Sequence, residues 1–257
     1  MNQRLQGKLA LVTGGASGVG KETALRLARE GARVVITDLN EDGGRAVAAD
    51  LGEGALFLKH DVSSEADWAA VMATVQERCG ALDVLVNNAG ILIPGNIETL
   101  KFDHWQRLLR VNADSVFLGT RAGVAVMKER GGAIVNIASV ASWMPIDSYA
   151  GYGASKAAVA AVTRAAALHC RKSGYPVRVN SVHPDGIWTP MMEASLRGAP
   201  PGFKPEHLLY DVKRNPKGRA CMPGEVASVV VFLASDDARA VNGAEMRVDN
   251  GVLGMGL

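Results

Sequence analysis

Tyr152 and Lys156 stand four residues apart in Tyr149-Ala-Gly-Tyr-Gly-Ala-Ser-Lys156, at the head of an Ala- and Val-rich run, 157–171. On a helix that spacing puts both side chains on one face. A phenol and an ammonium so placed form an acid/base pair. A phenol alone, with a pKa near 10, is a poor base at neutral pH. A cation about 6 Å away, at an effective dielectric near 20, favours the phenolate by roughly 2.8 kcal/mol, or about two pKa units. That brings the phenol into range for proton transfer near neutrality. Taken alone, the same pattern also describes a surface tyrosine beside a solvated lysine. Tyr149 makes no such pair, because its i+4 neighbour is Gly153.

A second constellation lies near the start of the chain. The apolar run Lys8-Leu-Ala-Leu-Val-Thr13 reads as a buried strand. Thr13-Gly-Gly-Ala-Ser-Gly-Val-Gly20 follows at once, then a helical pattern over 21–30 that Gly31 ends. Arg33-Val-Val-Ile-Thr37 is the next strand, closed by Asp38. Gly14 allows the turn out of the strand, while Gly18 and Gly20 let backbone approach a diphosphate and let the helix pack on the sheet. Free amides at the helix start then favour an anion. The spacing is G-x-x-x-G-x-G rather than G-x-G-x-x-G. With its flanking strand and helix, it predicts dinucleotide binding. Asp38, eighteen residues past Gly20, suits hydrogen bonds to the adenosine ribose. Its charge repels a 2′-phosphate, and Gly15, Ala16 and Leu39 supply no cation to hold one. NAD is therefore expected rather than NADP. An aspartate that only caps a turn is the plain alternative.

The elements that must position these residues alternate regularly. Helices are expected over 41–51 and 65–78, and strands over 55–59, 83–87, 133–137, 177–182 and 244–248. Asp61 and Val62, and Asn88-Ala-Gly90, follow strands at the carboxyl edge, where open α/β sheets place ligands. Asp61 serves equally well as a helix cap. A long helical stretch over 103–128 is interrupted near Asn112, whose amide competes for backbone bonds. Ser139 ends the fifth strand. After His183-Pro-Asp-Gly-Ile-Trp-Thr189 the alternation fails over 190–222, which is rich in proline and carries Met191, Met192, Leu196, Phe203 and Leu208. Its apolar content predicts a lid over an apolar ligand. A helix over 223–234 follows. The apolar tail, 251–257, is expected to pack against this domain or a neighbouring subunit. The whole chain, 1–257, thus reads as one α/β domain, a Rossmann-type doubly wound, seven-stranded parallel sheet with helices on both faces.

Composition narrows the function. The 28 basic and 26 acidic side chains are too balanced for nucleic acid or an anionic membrane. No apolar run spans a bilayer, and the start of the chain lacks a signal core. Cys79, Cys170 and Cys221 fit neither a zinc spacing nor a disulfide framework, so no metal is expected and the location expected is cytoplasmic.

Thr13-Gly-x-x-x-Gly-x-Gly20, Asn87-Asn-Ala-Gly90, Asn112, Ser139 and Tyr152-x-x-x-Lys156 stand in order along the chain. As a set they resemble the single-domain short-chain dehydrogenases/reductases, over essentially the whole length. The resemblance implies that Tyr152 exchanges a proton with the substrate oxygen and that Lys156 lowers its pKa and binds the nicotinamide ribose. It implies that Ser139 positions the substrate oxygen and that Asn112 holds a relay water. It places the cofactor against Gly14, Ser17, Gly18, Val19, Gly20, Asp38 and Leu39. Asp61, Val62, Asn88, Ala89 and Gly90 follow, then Pro184, Gly186, Ile187 and Thr189 together with Tyr152 and Lys156. Trp188, Met191 and Met192 are expected to join Ser139 and Tyr152 around the substrate. One departure stands out: the family usually has Pro-Gly after the sixth strand, and here Asp185 intervenes.

Arg4-Leu-Gln-Gly-Lys8, His60–Trp68, Tyr149–Tyr152, His183–Ile187, Thr189–Met192 and Gly254–Leu257 are similar to stretches of the bacterial 3β/17β-hydroxysteroid dehydrogenases within that family. This implies a homotetramer that interconverts a bulky hydrophobic secondary alcohol and its ketone with NAD. A 3-ketoacyl carrier-protein reductase, a general cyclic or aromatic alcohol dehydrogenase and a non-catalytic cofactor sensor are the competing readings. Asp38 opposes the first, and the presence of both Tyr152 and Lys156 opposes the last.

Overall fold

The computed structural model describes residues 3–196 and 205–255. The middle of the expected lid, 197–204, and the last two residues of the tail lie outside the described residues.

Seven strands are all parallel, in the order β3-β2-β1-β4-β5-β6-β7. They are β1 (Leu9–Thr13), β2 (Arg33–Asp38), β3 (Leu56–Lys59), β4 (Val84–Asn87), β5 (Gly132–Ile137), β6 (Val177–Pro184) and β7 (Glu245–Val248). Successive side chains of a strand point to opposite faces, and both faces are covered. Val12, Val34, Ile36 and Val86 pack on one side with Leu27 of α1 (Gly18–Arg29), Val47 of α2 (Glu41–Leu51) and Val230 of α8 (Pro223–Ala234). Leu11, Val35, Leu85 and Ile134 pack on the other with Trp68 and Val75 of α3 (Glu65–Cys79), Met127 and Cys170. Truncating a side chain as enclosed as Leu11 would cost about 2–5 kcal/mol.

The interruption expected near Asn112 is a π-turn. Helix α4 (Phe102–Leu109) runs through the π-helical turn Arg110–Asp114 into α5 (Ser115–Met127) without breaking. Helix α6 (Ala150–Lys172) begins seven residues earlier than the apolar run alone suggests, so Tyr152 lies in its first turn. Within 190–222 the described backbone forms the short helix α7 (Pro190–Ser195), a 3₁₀ turn (Pro205–Leu208) and a small ribbon in which Leu209 pairs with Ala220. Val252 of the tail is buried against this domain.

A groove of about 650 Å³ lies across the amino-terminal ends of the central strands, lined by Lys8, Arg33, Cys79, Asp83 and Arg130 among others. Cys79 is partly exposed there, whereas Cys170 and Cys221 are buried, and none of the three is in a disulfide. Among the described residues no helix is long and apolar enough to cross a membrane.

Candidate active site

At the carboxyl edge of the sheet a cavity of about 330 Å³ draws most of its wall from six separate segments. The β1–α1 turn contributes Gly14, Ser17, Gly18 and Val19. Asp38 and Leu39 come from the end of β2, and Val62 from beyond β3. Asn88, Ala89 and Gly90 follow β4. Tyr152 and Lys156 come from α6, and Ile187, Thr189 and Met191 from beyond β6. Residues far apart in sequence thus meet because every strand delivers its carboxyl end to the same side.

The glycine turn is built for close approach. Gly14 has φ +65°, and a Cβ on it would lie 2.8 Å from the Ala89 Cα. A Cβ on Gly20 would lie 2.1 Å from the Gly14 carbonyl oxygen, so Gly20 serves the packing of the turn from behind the cavity. Thr13 Oγ1 accepts from the amides of Asn88 and Ala89 at 3.0 and 3.1 Å, and the Asn88 side-chain amide donates back to the carbonyls of Thr13 and Gly14. The turn and the segment after β4 are therefore one unit. The N-cap of α1, Ser17, makes no side-chain cap bond, and the first turn carries no acid. These amides remain available to an anion, which fits a dinucleotide diphosphate.

Asp38 accepts from the amides of Ala16 and Asn40 at 3.0 and 2.9 Å, which aims its carboxylate at the edge of the same cavity. Two cations nearby, Lys59 across the β2–β3 register from Asp38 and Arg45 on α2, are engaged elsewhere, both pairing with Glu41. Asp61 is not brought to the wall. Its Oδ1 accepts from the Ser63 amide and hydroxyl, so it closes the loop before α3.

Lys156 is buried, and its Nζ donates to the Ile137 carbonyl at 2.8 Å. It lies 5.8 Å from the centre of the Tyr152 ring, close to the spacing a helix dictates. Burial pushes the ammonium down to about 8. In the chain by itself the phenol moves opposite to the sequence expectation. Burial raises the Tyr152 pKa, a hydrogen bond with Ser139 opposes the rise, and Tyr149 adds to it. Desolvation of a phenolate is the largest cause here.

Ser139 is buried at the end of β5. Its hydroxyl accepts from the Ala141 amide at 3.1 Å and approaches the Pro184 carbonyl at 3.4 Å. His183, not singled out from sequence, anchors the backbone beneath it. Its Nδ1 lies 3.1 Å from the Ser139 carbonyl and its Nε2 lies 2.8 Å from the Ser181 hydroxyl. A carbonyl only accepts, so Nδ1 carries the proton and Nε2 accepts from Ser181. Burial holds this imidazole neutral, with a pKa down to about 4. Trp143 stacks on it at 4.1 Å. The signal that could have found His183 is its place in β6, one residue before Pro184, but only β5–β6 register puts it under Ser139.

The Asn112 amide donates to the Ile91 carbonyl and the Ser155 hydroxyl at 2.9 and 3.0 Å, and its Oδ1 accepts from the Ile91 amide at 2.8 Å. The side chain thus clamps the segment after β4 to the π-turn and α6. Pro184 ends β6. Gly186, Trp188 and Met192 lie off the cavity wall. The Gly186 carbonyl accepts from the Cys221 amide, the Trp188 amide donates to the Cys221 carbonyl, and Met192 belongs to α7. His60, Ile91, Val111, Ile137 and Pro190 join the wall without having been expected there. His60 bonds Thr37 at 3.0 Å, and burial holds it neutral, with a pKa down to about 4.

Comparisons with known proteins bear on this arrangement. A family model described as Enoyl-(Acyl carrier protein) reductase matches residues 14–253. A 3-beta-hydroxysteroid dehydrogenase of Comamonas testosteroni is 60% identical over 257 residues, the full length of both chains. An NADP-dependent (R)-specific alcohol dehydrogenase of Lentilactobacillus kefiri is 39% identical over 98% of each chain. The crystal structure of levodione reductase superposes with a TM-score of 0.87 at 35% identity, covering 96% of this chain and 98% of that one.

Proposed function

The chain belongs to the short-chain dehydrogenase/reductase family, and from that premise we propose that it is an NAD-dependent hydroxysteroid dehydrogenase of the 3β/17β type. The observation that carries this reading is a single cavity with Asp38 at one end and Tyr152 and Lys156 at the other. A bound nicotinamide dinucleotide supplies or accepts the hydride, which no side chain can do. The amides of the glycine turn receive its phosphates and Asp38 its adenosine ribose. Asp38 favours NAD over NADP because a carboxylate at that position meets a 2′-phosphate with like charge. The NADP dependence named for the Lentilactobacillus kefiri relative makes this a point that needs its own test.

Tyr152 takes the proton of the alcohol during oxidation and returns it during reduction. Ser139 donates to the same substrate oxygen. Lys156 binds the nicotinamide ribose, and its charge, with that of the oxidised ring, offsets the desolvation that raises the phenol pKa. A water relayed between Lys156 and Asn112 is supported by their approach to one spot: a Cβ on Gly90 would meet Asn112 Oδ1 at 3.2 Å and Lys156 Nζ at 3.5 Å. The steroid reading is supported by the Comamonas testosteroni relative and by the apolar, exposed Met191 on the cavity wall. Residues 190–222 act as the substrate cover. A cytoplasmic location is supported by three unpaired thiols. Exposed Phe117 and Leu168 on α5 and α6 support assembly into a homotetramer.

The test is a panel of steroid, cyclic and small acyclic alcohols with NAD and NADP, followed by absorbance of the reduced cofactor. Turnover of 3β- or 17β-hydroxysteroids with NAD preferred is the expected result. Preference for NADP, or turnover confined to small acyclic alcohols, overturns the reading.

A further inference from the structure

Asp185 is the residue that interrupts the Pro-Gly pair after β6, and the structure gives it a partner. Its amide continues the sheet by donating to the Val248 carbonyl of β7 at 3.1 Å. Its side chain, only 8% exposed, receives Arg219 in a two-point contact: Nε to Oδ2 at 2.9 Å and Nη2 to Oδ1 at 3.1 Å. Two parallel charged bonds of this kind fix orientation as well as distance. The same Nη2 lies 4.0 Å from Met144 Sδ, in the turn that carries Trp143.

Arg219 sits where the 190–222 segment returns to the sheet. The amides of Arg219 and Ala220 both donate to the Leu208 carbonyl, at 2.9 and 2.7 Å, and the Tyr210 amide donates to Ala220. One step further, Cys221 and the pair Gly186 and Trp188 exchange two backbone bonds, at 2.8 and 2.9 Å. The segment therefore leaves the body after Thr189 and comes back opposite Gly186. Two backbone rungs, the Asn250 side-chain amide donating to the Gly218 carbonyl at 3.1 Å, and one ion pair hold its returning end.

We propose that Asp185 and Arg219 form a clasp that positions the returning limb, residues 205–222, and through it sets the size of alcohol the site accepts. The proposal rests on the reading of that segment as a substrate cover. Neither residue touches the reacting atoms, so both are positioning residues. Asp185 also holds the Arg219 guanidinium more firmly protonated than usual.

The experiment is a double-mutant cycle on the full chain with Asp185→Ala, Arg219→Ala and both together. Steady-state kinetics are measured with a 3β-hydroxysteroid and with a small alcohol such as cyclohexanol, and NADH affinity by fluorescence. Each single variant is expected to raise KM for the steroid by about tenfold, as coupled charge pairs do. KM for the small alcohol and NADH affinity should stay within about twofold. The double variant should be no worse than either single one. Additive losses, or equal losses on both alcohols, overturn the proposal. Limited proteolysis supplies a readout independent of turnover: both single variants should be cut faster within 190–222 at unchanged melting temperature. Faster cutting without turnover of any alcohol would count against the proposed function and leave the clasp standing. Unchanged cutting would remove the clasp, whatever the substrate.

Discussion

Tyr152→Phe removes one oxygen and little volume, so it isolates the proton-transfer role. It should lower kcat by at least about a hundredfold while NADH affinity stays within a few-fold; substantial residual turnover would reassign the acid/base. Asp38→Ala should shift the ratio of kcat/KM from NAD toward NADP by about tenfold or more, by removing a like charge from the 2′-phosphate position. An unchanged ratio would leave Asp38 as the acceptor for the Ala16 and Asn40 amides and nothing more. On the proposed role of the Tyr152 phenolate as proton acceptor, alcohol oxidation should speed up as pH rises and ketone reduction as pH falls. Profiles flat between pH 6 and 10 in both directions would exclude Tyr152. That Tyr152, Lys156 and Asp38 share one cavity wall was legible because chemistry constrains their types and helical geometry constrains the Tyr152–Lys156 spacing. The direction of the Tyr152 pKa was not. It depends on how much water the fold removes from the hydroxyl, and no spacing encodes that. Asp61 was open between two roles, because an acid after a strand can face a ligand or its own loop; here Ser63 bonds its Oδ1.

The elements were mostly visible as alternating apolar runs and helical patterns, and the π-turn was visible only as a misplaced asparagine. Asn112 makes three hydrogen bonds to groups twenty-one and forty-three positions away. That pairing is set by how α6 and the segment after β4 close on the π-turn, so it could not be read locally. Asn112→Ala leaves the Ile91 amide and carbonyl without their side-chain partners. The variant should lose about 2–3 kcal/mol of stability by chemical denaturation. A loss below about half a kcal/mol would mean that water replaces the amide at no cost. The 190–222 segment was the least legible element. Its described residues form a short helix and a 3₁₀ turn rather than a regular helix–strand unit, and its anchor to the body, Cys221 against Gly186 and Trp188, comes from backbone bonds that any residue type can make.

For the molecule as a whole, the parallel sheet imposes buried polar groups that must remain neutral. His60 and His183 are both enclosed, and burial holds each with a pKa of about 4 against an ordinary value of 6.5. The unfolded chain takes up these protons first, so folded-state stability is complete above about pH 6.5 and falls as pH drops toward 4. Each histidine contributes roughly 3 kcal/mol to that fall. Melting temperature should decline steeply between pH 6.5 and 4.5, and His183→Asn should flatten the decline. A melting temperature constant over that range would show that both rings titrate freely. The shared strand direction has a practical consequence as well. Of the three thiols only Cys79 is accessible, and it lies beside Lys8 and Arg33 on the rim remote from Tyr152. A maleimide dye or a surface tether would therefore attach at one defined point, behind the working face, and the enzyme could be labelled or immobilised with its entrance left open.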